Sequence, residues 1–249
     1  MGPTYSAVLL RYGEIAIKSD QTRRRMTKML VKHIKSALKE KSAKYSDIIV
    51  QYGRIFVETE EPQHVAEVAS KVFGIVSTSP VVVVSSNLDD IVETGFAIAS
   101  SEFDKSLPFA VGARRIGTHD YTSQDVREKL GERIYEDLDI SVDLSNPGQT
   151  IYVEVRQDKA YIFTKTIRGV GGMPSGTQGK VVCTVSTGLD SPVAAYKVMK
   201  RGAIPVIVYF DNAPHAADGC TGVAIRQAKK LAEYIHGHEV KMYIVPHGP

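Results

Sequence analysis

The sequence contains no tryptophan and only two cysteines, Cys183 and Cys220, among its 249 residues. Two cysteines are too few for a disulfide framework, and no CxxC pair occurs, which favours a reducing compartment. No apolar run approaches the roughly 18 residues of a membrane helix. The N-terminus has no basic segment followed by a long apolar one, which argues against a secretory signal. We therefore expect a cytoplasmic protein with no membrane partner.

The net charge is only +3, so partners must be judged from how charge is distributed along the chain. Residues 11–41 contain ten lysines and arginines but only three acidic residues. The spacing predicts a helix over 20–41 with one apolar and one basic face. A solvated face and an RNA-contacting face both explain this pattern. The residues expected to contact RNA are Arg23, Arg24, Arg25, Lys28, Lys32 and, at the end of a later predicted strand, Arg114 and Arg115.

Two common phosphate-binding motifs, the Walker A loop and GxGxxG, are also absent. Residues 179–202 instead predict a short strand, a small polar loop at 186–191 and a helix from Pro192, with Gly202 as its C-terminal cap. A tight loop between a strand and a helix directs backbone N–H groups at an anion. Gly188 would allow close approach because it has no Cβ. An ordinary strand-to-helix turn is the alternative interpretation.

The order of predicted elements divides the chain into parts. Residues 1–80 give βαββαβ, with a strand turn at Tyr52 and Gly53, which is typical of a ferredoxin-like α+β unit. Residues 81–168 predict a second α/β module that ends in a hairpin over 150–156 and 160–167. Residues 169–179 are rich in glycine and indicate a linker, either a flexible joint or a loop near the nucleotide site. Residues 180–249 give βαβαβ, with a helix from Val223, and predict a doubly wound parallel sheet.

Several segments together resemble one family: LRYGEIAIK at 10–18, GRIFVE at 53–58, ARR at 113–115, VDLSNPGQTIYVEVR at 142–156, GGMPSGTQGK at 171–180 and STGLDSPVAAYKVMKRG at 186–202. Their order and spacing resemble the ThiI family of tRNA 4-thiouridine synthetases, also called thiamine-biosynthesis sulfurtransferases. The loop matches the SGGxDS pattern of ATP-pyrophosphatases at Ser186, Gly188, Asp190 and Ser191, with Thr187 where glycine is usual. The resemblance covers nearly the whole chain.

The resemblance implies an N-terminal ferredoxin-like domain, a THUMP RNA-binding domain and a PP-loop ATP-pyrophosphatase domain of the adenine nucleotide alpha hydrolase type, here apparently truncated. It implies that ATP adenylates the 4-oxygen of a tRNA uridine, after which a persulfide sulfur displaces AMP. The ATP-binding residues carried over are Thr184, Val185, Ser186, Thr187, Gly188, Leu189, Asp190, Ser191, Tyr209 and Phe210. Asp190 and Ser191 are the expected catalytic residues. Asp190 is also the candidate ligand of Mg²⁺, with loop bracing as its alternative role.

By the same resemblance, the expected partners are tRNA and a persulfide donor such as a cysteine desulfurase, with a homodimer and a role in thiamine thiazole synthesis as further options. Cys183 is expected in the core, and Cys220, near His215, is a weaker relay candidate. A metal site of His215, Asp218 and Cys220 is disfavoured because no fourth ligand is evident. We expect this chain alone not to complete sulfur transfer. A tRNA-binding protein with an inactive nucleotide unit and a small-molecule ATP-pyrophosphatase remain alternatives.

Overall fold

The computed structural model describes residues 3–51, 53–215 and 219–248. The strands are β1 (Ala7–Tyr12), β2 (Asp47–Gln51), β3 (Arg54–Glu58), β4 (Ile75–Ser85), β5 (Phe109–Arg115), β6 (Gln149–Val155), β7 (Lys159–Phe163), β8 (Ile167–Arg168), β9 (Lys180–Thr184), β10 (Ile204–Asp211) and β11 (Lys241–Pro246). The helices are α1 (Asp20–Glu40), α2 (Pro62–Ser70), α3 (Leu88–Glu102), α4 (Ser123–Leu138), α5 (Asp190–Lys200) and α6 (Cys220–Ala232). Within these ranges, no helix combines the length and apolar composition needed to cross a membrane.

The first unit has the predicted βαββαβ order, and its strands pair antiparallel in the order β2-β3-β1-β4. Helix α1 forms because its apolar residues recur every four positions, which places Met26, Leu30, Ile34 and Leu38 on one buried face. This face packs with α2 over the sheet and leaves the basic residues outside. The ferredoxin-like prediction is therefore confirmed, although Tyr52 of the predicted turn lies outside the described residues.

Strand β4 joins the first unit to the second. It pairs with β1 as far as Val81 and with β7 from Val82 onward, so one sheet of order β2-β3-β1-β4-β7-β6-β5 runs through both units. Helices α3 and α4 cover the second half of this sheet. The predicted hairpin is present, but its second strand ends at Phe163. Residues Ile167–Arg168 form the separate strand β8, which pairs with β4 and returns the chain to the first unit.

The faces of the two half-sheets that carry no helix close against each other. Phe56 stacks on Tyr161 with ring centroids 4.1 Å apart. Beside this contact, three arginines surround the buried carboxylate of Glu154, and we call them the arginine cluster: Arg11, Arg54 and Arg156. Arg54 donates from Nε to Glu154 at 2.9 Å, and Arg11 also lies over the Phe163 ring. Burial lowers the pKa of Arg11 to about 10, which leaves it charged at neutral pH.

The glycine-rich segment at 169–179 is packed, so the flexible-joint interpretation is wrong. Its backbone hydrogen-bonds to the end of α2, to the start of β4 and to the end of α5, and Met173 and Ser175 are buried. A Cβ at Gly172 would lie 2.2 Å from the Lys200 carbonyl oxygen, and φ there is +80°, so only glycine fits. This contact is at the C-terminal end of α5, about 16 Å along the helix from its other end. The segment is therefore not a loop of the nucleotide site.

The third unit is a parallel sheet of order β11-β10-β9, as the βαβαβ pattern predicts. Helices α5 and α6 both pack on one face, over a core that includes Cys183, Ile207 and Leu231. This is the arrangement of one half of a doubly wound sheet. The opposite face is uncovered: Val182 is 65% exposed and Phe210 is 45% exposed. Helix α6 begins at Cys220 rather than at the predicted Val223, because Gly219, at φ +86°, turns the chain into the helix.

The third unit packs directly on the end of α1. His33 on α1 and His238, between α6 and β11, have their Nε2 atoms 3.2 Å apart. His236 Nδ1 lies 2.8 Å from the Glu40 carboxylate. These contacts form the histidine seam, which comprises His33, His236, His238 and Glu40. The seam joins the basic helix to the unit that carries the predicted anion loop.

Candidate nucleotide and RNA sites

The predicted anion loop, residues 186–191, follows β9 at the edge of the sheet where parallel strands end. Its last two residues already belong to α5, which begins at Asp190 rather than at the predicted Pro192. The residue at the N-terminal cap of α5 is Leu189, whose side chain cannot cap a helix and is 82% exposed. Among the described residues, the N–H groups of Thr187, Leu189 and Asp190 have no hydrogen-bond partner. Open donors at the positive end of a helix form a site for an anion.

Two serines hold this loop in shape. The Ser191 hydroxyl accepts a hydrogen bond from the Ser186 N–H at 2.8 Å, and the two Oγ atoms lie 3.1 Å apart. The Gly188 N–H donates to Ser186 Oγ at 3.3 Å. Both serines were predicted as ligands, and the structure adds a bracing role. The Thr187 side chain is exposed and is open to a bound ligand.

Asp190 is the first residue of α5, and its side chain is exposed. Its carboxylate accepts no hydrogen bond from the described part of the chain, so the alternative role of bracing the loop has no support. Mg²⁺ commonly binds through one or two carboxylates together with substrate phosphates, and a free carboxylate beside an anion loop fits that donor set. The described ranges contain no group of three His, Cys, Asp or Glu residues that could hold a metal by themselves.

The remaining predicted ATP-binding residues lie at the same edge of the sheet. Thr184 ends β9 with an exposed side chain, whereas Val185 is buried and donates from its N–H to the Val208 carbonyl at 2.8 Å. Tyr209 is only 5% exposed and belongs to the core, while Phe210 is exposed. Because neighbouring side chains of a strand point to opposite faces, the two rings cannot flank one base together.

Sequence reasoning missed two polar residues of the third unit. Gln227 on α6 donates from Nε2 to the carbonyl oxygens of Thr187 and Gly188, at 3.4 and 3.1 Å. Asp211 ends β10 and accepts a hydrogen bond from the Thr221 hydroxyl at 3.1 Å. The Gln227 contacts join a side chain to backbone atoms about 40 residues away, which no local pattern reveals. An acidic residue after a buried parallel strand was a signal that could have identified Asp211.

Neither cysteine lies in the anion loop. Cys183 is buried on β9, as predicted, and desolvation raises the pKa of its thiol. Cys220 was expected in a loop, but it is the first residue of α6, where it is partly exposed. Asp218 of the disfavoured metal site lies outside the described residues.

A basic cleft lies between α1 and the second unit. Three of the five α1 residues predicted to contact RNA, Arg23, Arg24 and Lys28, line a cavity of about 830 Å³. Tyr12, Ala16, Val31, Val50 and Ile116 contribute apolar lining to the same cavity. Arg25 and Lys32 are exposed but do not line this cavity. A cavity lined by basic and apolar residues suits a nucleic acid, since guanidinium groups meet phosphates and apolar surfaces meet bases.

The end of β5 meets the same cleft at Ile116, next to the predicted RNA-binding pair Arg114 and Arg115. Arg115 donates from Nη1 to the Gly117 carbonyl at 2.8 Å, so it partly braces its own loop. Arg114 is exposed and lies opposite Glu154 in the β5–β6 register. Neither Arg114 nor Arg115 lines the cavity itself, and Arg114 is the more exposed of the two.

Comparison with known proteins agrees with this division. Family models match the ThiI ferredoxin-like domain at residues 7–79, the THUMP domain at 85–165 and the thiamine biosynthesis protein (ThiI) at 176–249. Probable tRNA sulfurtransferases of Methanosarcina acetivorans and Methanothermobacter thermautotrophicus are each 39% identical over 249 residues. The matches cover 98% of this chain, and 60% and 62% of those relatives. The chain thus spans about three fifths of the length of these relatives.

Two solved structures are also similar. PH1313 from Pyrococcus horikoshii is 34% identical with a TM-score of 0.85, over 96% of this chain and 78% of that one. A 4-thiouridine synthetase, solved as an RNA complex with bound ATP, is 27% identical with a TM-score of 0.82, over 97% of this chain and 62% of that one. Fold and site together define a protein in which ferredoxin-like and THUMP units precede a parallel α/β unit with an anion loop. The chain belongs to the ThiI family.

Proposed function

We propose that this chain supplies the tRNA-binding and ATP-binding parts of a tRNA sulfurtransferase, which uses ATP and a persulfide to convert a tRNA uridine to 4-thiouridine. The observation that carries the proposal is the loop of open N–H groups, in a unit that packs on the helix lining a basic cleft. Relatives named probable tRNA sulfurtransferase, and a 4-thiouridine synthetase solved with RNA and ATP, support it.

In the proposed reaction, the uridine 4-oxygen attacks the α-phosphorus of ATP and pyrophosphate leaves. The N–H groups of Thr187, Leu189 and Asp190 would hold the β- and γ-phosphates. They would stabilise the charge that grows on the departing pyrophosphate, because fixed donors need no reorganisation during the reaction. Asp190 would hold Mg²⁺, which offsets phosphate charge when bound. Ser186 and Ser191 would keep the donors in position.

The other predicted ATP-binding residues would each contribute to the nucleotide site in a different way. Thr184 and Val185 would contribute the strand end that leads into the loop. Phe210 would offer an exposed ring to the adenine, since aromatic rings stack favourably. Tyr209 would contribute its backbone, because its ring is buried in the core.

Replacement of AMP requires a sulfur donor, and we propose a persulfide carried by a partner such as a cysteine desulfurase. Cys183 is a poor carrier, because a persulfide relay needs an exposed thiolate and this thiol is buried with a raised pKa. Arg23, Arg24, Lys28 and Arg114 would hold the tRNA by its phosphates, with Arg25, Lys32 and Arg115 as neighbouring contacts. A homodimer and sulfur transfer to a thiamine precursor remain expectations from the resemblance.

Calorimetry with ATP and Mg²⁺ tests the nucleotide site. We expect Asp190→Ala and Ser191→Ala each to weaken ATP binding about tenfold, the change that corresponds to loss of roughly 1.4 kcal/mol. Asp89→Ala is the matched control, because Asp89 also lies in the first turn of a helix, α3, but is remote from the loop. Unchanged ATP affinity in both loop variants would contradict the assignment.

A further inference from the structure

Gln227 is the one described side chain outside the loop that contacts the carbonyl oxygens of Thr187 and Gly188. It lies on α6, which packs beside α5 through the core of the third unit. Its Nε2 carries two hydrogens, so one nitrogen can serve both carbonyl groups. The two contacts fix the orientation of two successive peptide groups in the middle of the anion loop.

The orientation of these carbonyl groups decides where the loop donors point. In a trans peptide the C=O and the following N–H point in opposite directions. When Gln227 holds the Thr187 and Gly188 carbonyls toward α6, the N–H groups of Gly188 and Leu189 point away from α6. The Gly188 N–H is retained by Ser186, and the Leu189 N–H is left open for an anion.

Such a brace matters because the loop contains glycine. A Cβ at Gly188 would meet only Ser186 Oγ, at 3.6 Å, so no tight packing of the described residues against Gly188 holds the chain there. Glycine also rotates more freely than any other residue. If a carbonyl rotated into the site, its oxygen would repel a phosphate. The serine contacts restrain the Ser186 and Gly188 N–H groups, whereas Gln227 is the described restraint on the two carbonyls.

The oxygen of the same amide group, Gln227 Oε1, is buried and makes no hydrogen bond to the described part of the chain. A buried acceptor without a partner destabilises the folded state, so an apolar side chain of similar length should be tolerated at least as well. The residue therefore carries a cost in the free energy of folding that its two loop contacts must offset.

We propose that Gln227 is a positioning residue for the phosphate groups of ATP: it holds the anion loop so that the donors face the β- and γ-phosphates. This inference rests on the proposed function of the loop. It predicts that the affinity for ligands with the terminal phosphates depends on Gln227. The affinity for adenosine, which lacks phosphates, should not depend on it.

The test compares the full chain with Gln227→Met, Gln227→Glu and Gln63→Met by calorimetry with ATP, pyrophosphate and adenosine, each with Mg²⁺. Gln63 is the matched control because its amide hydrogen-bonds only to Glu67 on α2 among the residues that the structure describes. We expect Gln227→Met to weaken ATP and pyrophosphate binding about tenfold, the loss of one to two hydrogen bonds, with adenosine affinity and melting temperature unchanged. Gln227→Glu should weaken both by about a hundredfold, because a carboxylate would face two carbonyl oxygens and repel phosphate.

The outcomes separate the two proposals. If the unaltered chain binds neither ATP nor pyrophosphate, the proposed function fails and this inference fails with it. If the unaltered chain binds both and Gln227→Met binds them equally well, only the role of Gln227 is overturned. An equal loss of ATP and adenosine affinity would indicate a merely structural role. If Gln227→Met melts at a lower temperature than the unaltered chain, hydrogen exchange of the loop amides is measured in Gln227→Asn instead. We expect faster exchange at residues 187–189, and unchanged exchange would contradict the proposal.

Discussion

The two sheets of this protein use their faces differently. The N-terminal sheet, β1 to β8, carries helices on one face of each half, and its other face closes on itself around Phe56, Tyr161 and the arginine cluster. The C-terminal sheet, β9 to β11, carries both of its helices on one face and leaves Val182 and Phe210 exposed on the other. The first sheet is thus buried on both sides, whereas the second is buried on one.

Because of this difference, the N-terminal sheet contributes more to the stability of the protein, whereas the C-terminal sheet carries the candidate ligand site. Residues buried on both sides of a sheet contribute most to the free energy of unfolding. The C-terminal sheet buries less, yet its strand ends carry the open N–H groups of the anion loop. The histidine seam joins the unit that carries the loop to helix α1 of the N-terminal part. The following predictions test this comparison, from the largest expected effect to the smallest.

Removing the buried carboxylate of Glu154 from the N-terminal sheet should lower the free energy of unfolding more than any of the changes that follow. Glu154→Ala leaves Arg11, Arg54 and Arg156 without their shared carboxylate, and breaking a buried ion pair in this way costs about 3–5 kcal/mol. Urea unfolding, followed by circular dichroism, measures the loss. Glu58→Ala is the control, because its ion pair with Lys159 is partly exposed and should contribute about 1 kcal/mol or less. Equal losses in the two variants would show that the two faces are not buried as described.

Acidification should weaken the histidine seam that joins the two sheets. Burial, followed by the neighbouring His238, His236 and Lys32, lowers the pKa of His33 to about 4. The unfolded chain therefore binds a proton that the folded chain does not, and stability present above pH 6.5 is lost as the pH falls toward 4. The loss amounts to about 3 kcal/mol for this shift of roughly 2.5 pH units.

Urea unfolding at several pH values between 4 and 7.5 checks this prediction. His33→Asn should flatten the dependence, because asparagine does not titrate in this range. His64→Asn is the control, since His64 lies on α2 outside the seam and its ring hydrogen-bonds, within the described ranges, only to the Lys41 carbonyl oxygen. A slope that is unchanged in His33→Asn would contradict the assignment.

A pair of identical substitutions compares the two sheets directly. Val8 is fully buried on β1, so Val8→Ala should cost about 2 kcal/mol through lost burial and the cavity that remains. Val182 on β9 is mostly exposed, so Val182→Ala should change stability by about 0.5 kcal/mol or less. The midpoints of urea unfolding of the two variants, each compared with that of the unaltered chain, measure these losses of stability. A large loss in Val182→Ala would mean that the outer face of the C-terminal sheet is covered in solution.

The smallest effects are expected in the basic cleft. Arg24 lines the cleft and its neighbour Arg25 does not, although both are exposed on α1. We expect Arg24→Ala to weaken tRNA binding a few fold. It should also reduce the dependence of log affinity on log salt concentration by about the amount that one phosphate contact contributes. Arg25→Ala should change the affinity and its salt dependence less. Filter binding at several salt concentrations measures the slopes, and equal effects would point to a diffuse charge on α1 in place of the cleft.

Local sequence patterns predicted most of the elements because they depend on neighbouring residues. The four-residue spacing of Met26, Leu30, Ile34 and Leu38 is sufficient to predict α1. The loop at 186–191 follows from its strand, its glycine and the following helix. The start of α6 was wrong by three residues, since nothing local marks Gly219 as the residue that turns into the helix. The glycine-rich segment was misjudged because composition predicts freedom, whereas packing against Lys200 removes it.

What the sequence alone determined is the order of elements, the amphipathic helices and the type of each candidate site, because periodicity and short motifs act over a few residues. Only the tertiary structure decided which distant groups meet. It brought Arg11, Arg54 and Arg156 to one carboxylate and set Gln227 against the loop. It also buried Tyr209 while exposing Phe210. These outcomes depend on strand pairing and on which face of a sheet is covered, and both are fixed by contacts between residues far apart in the chain.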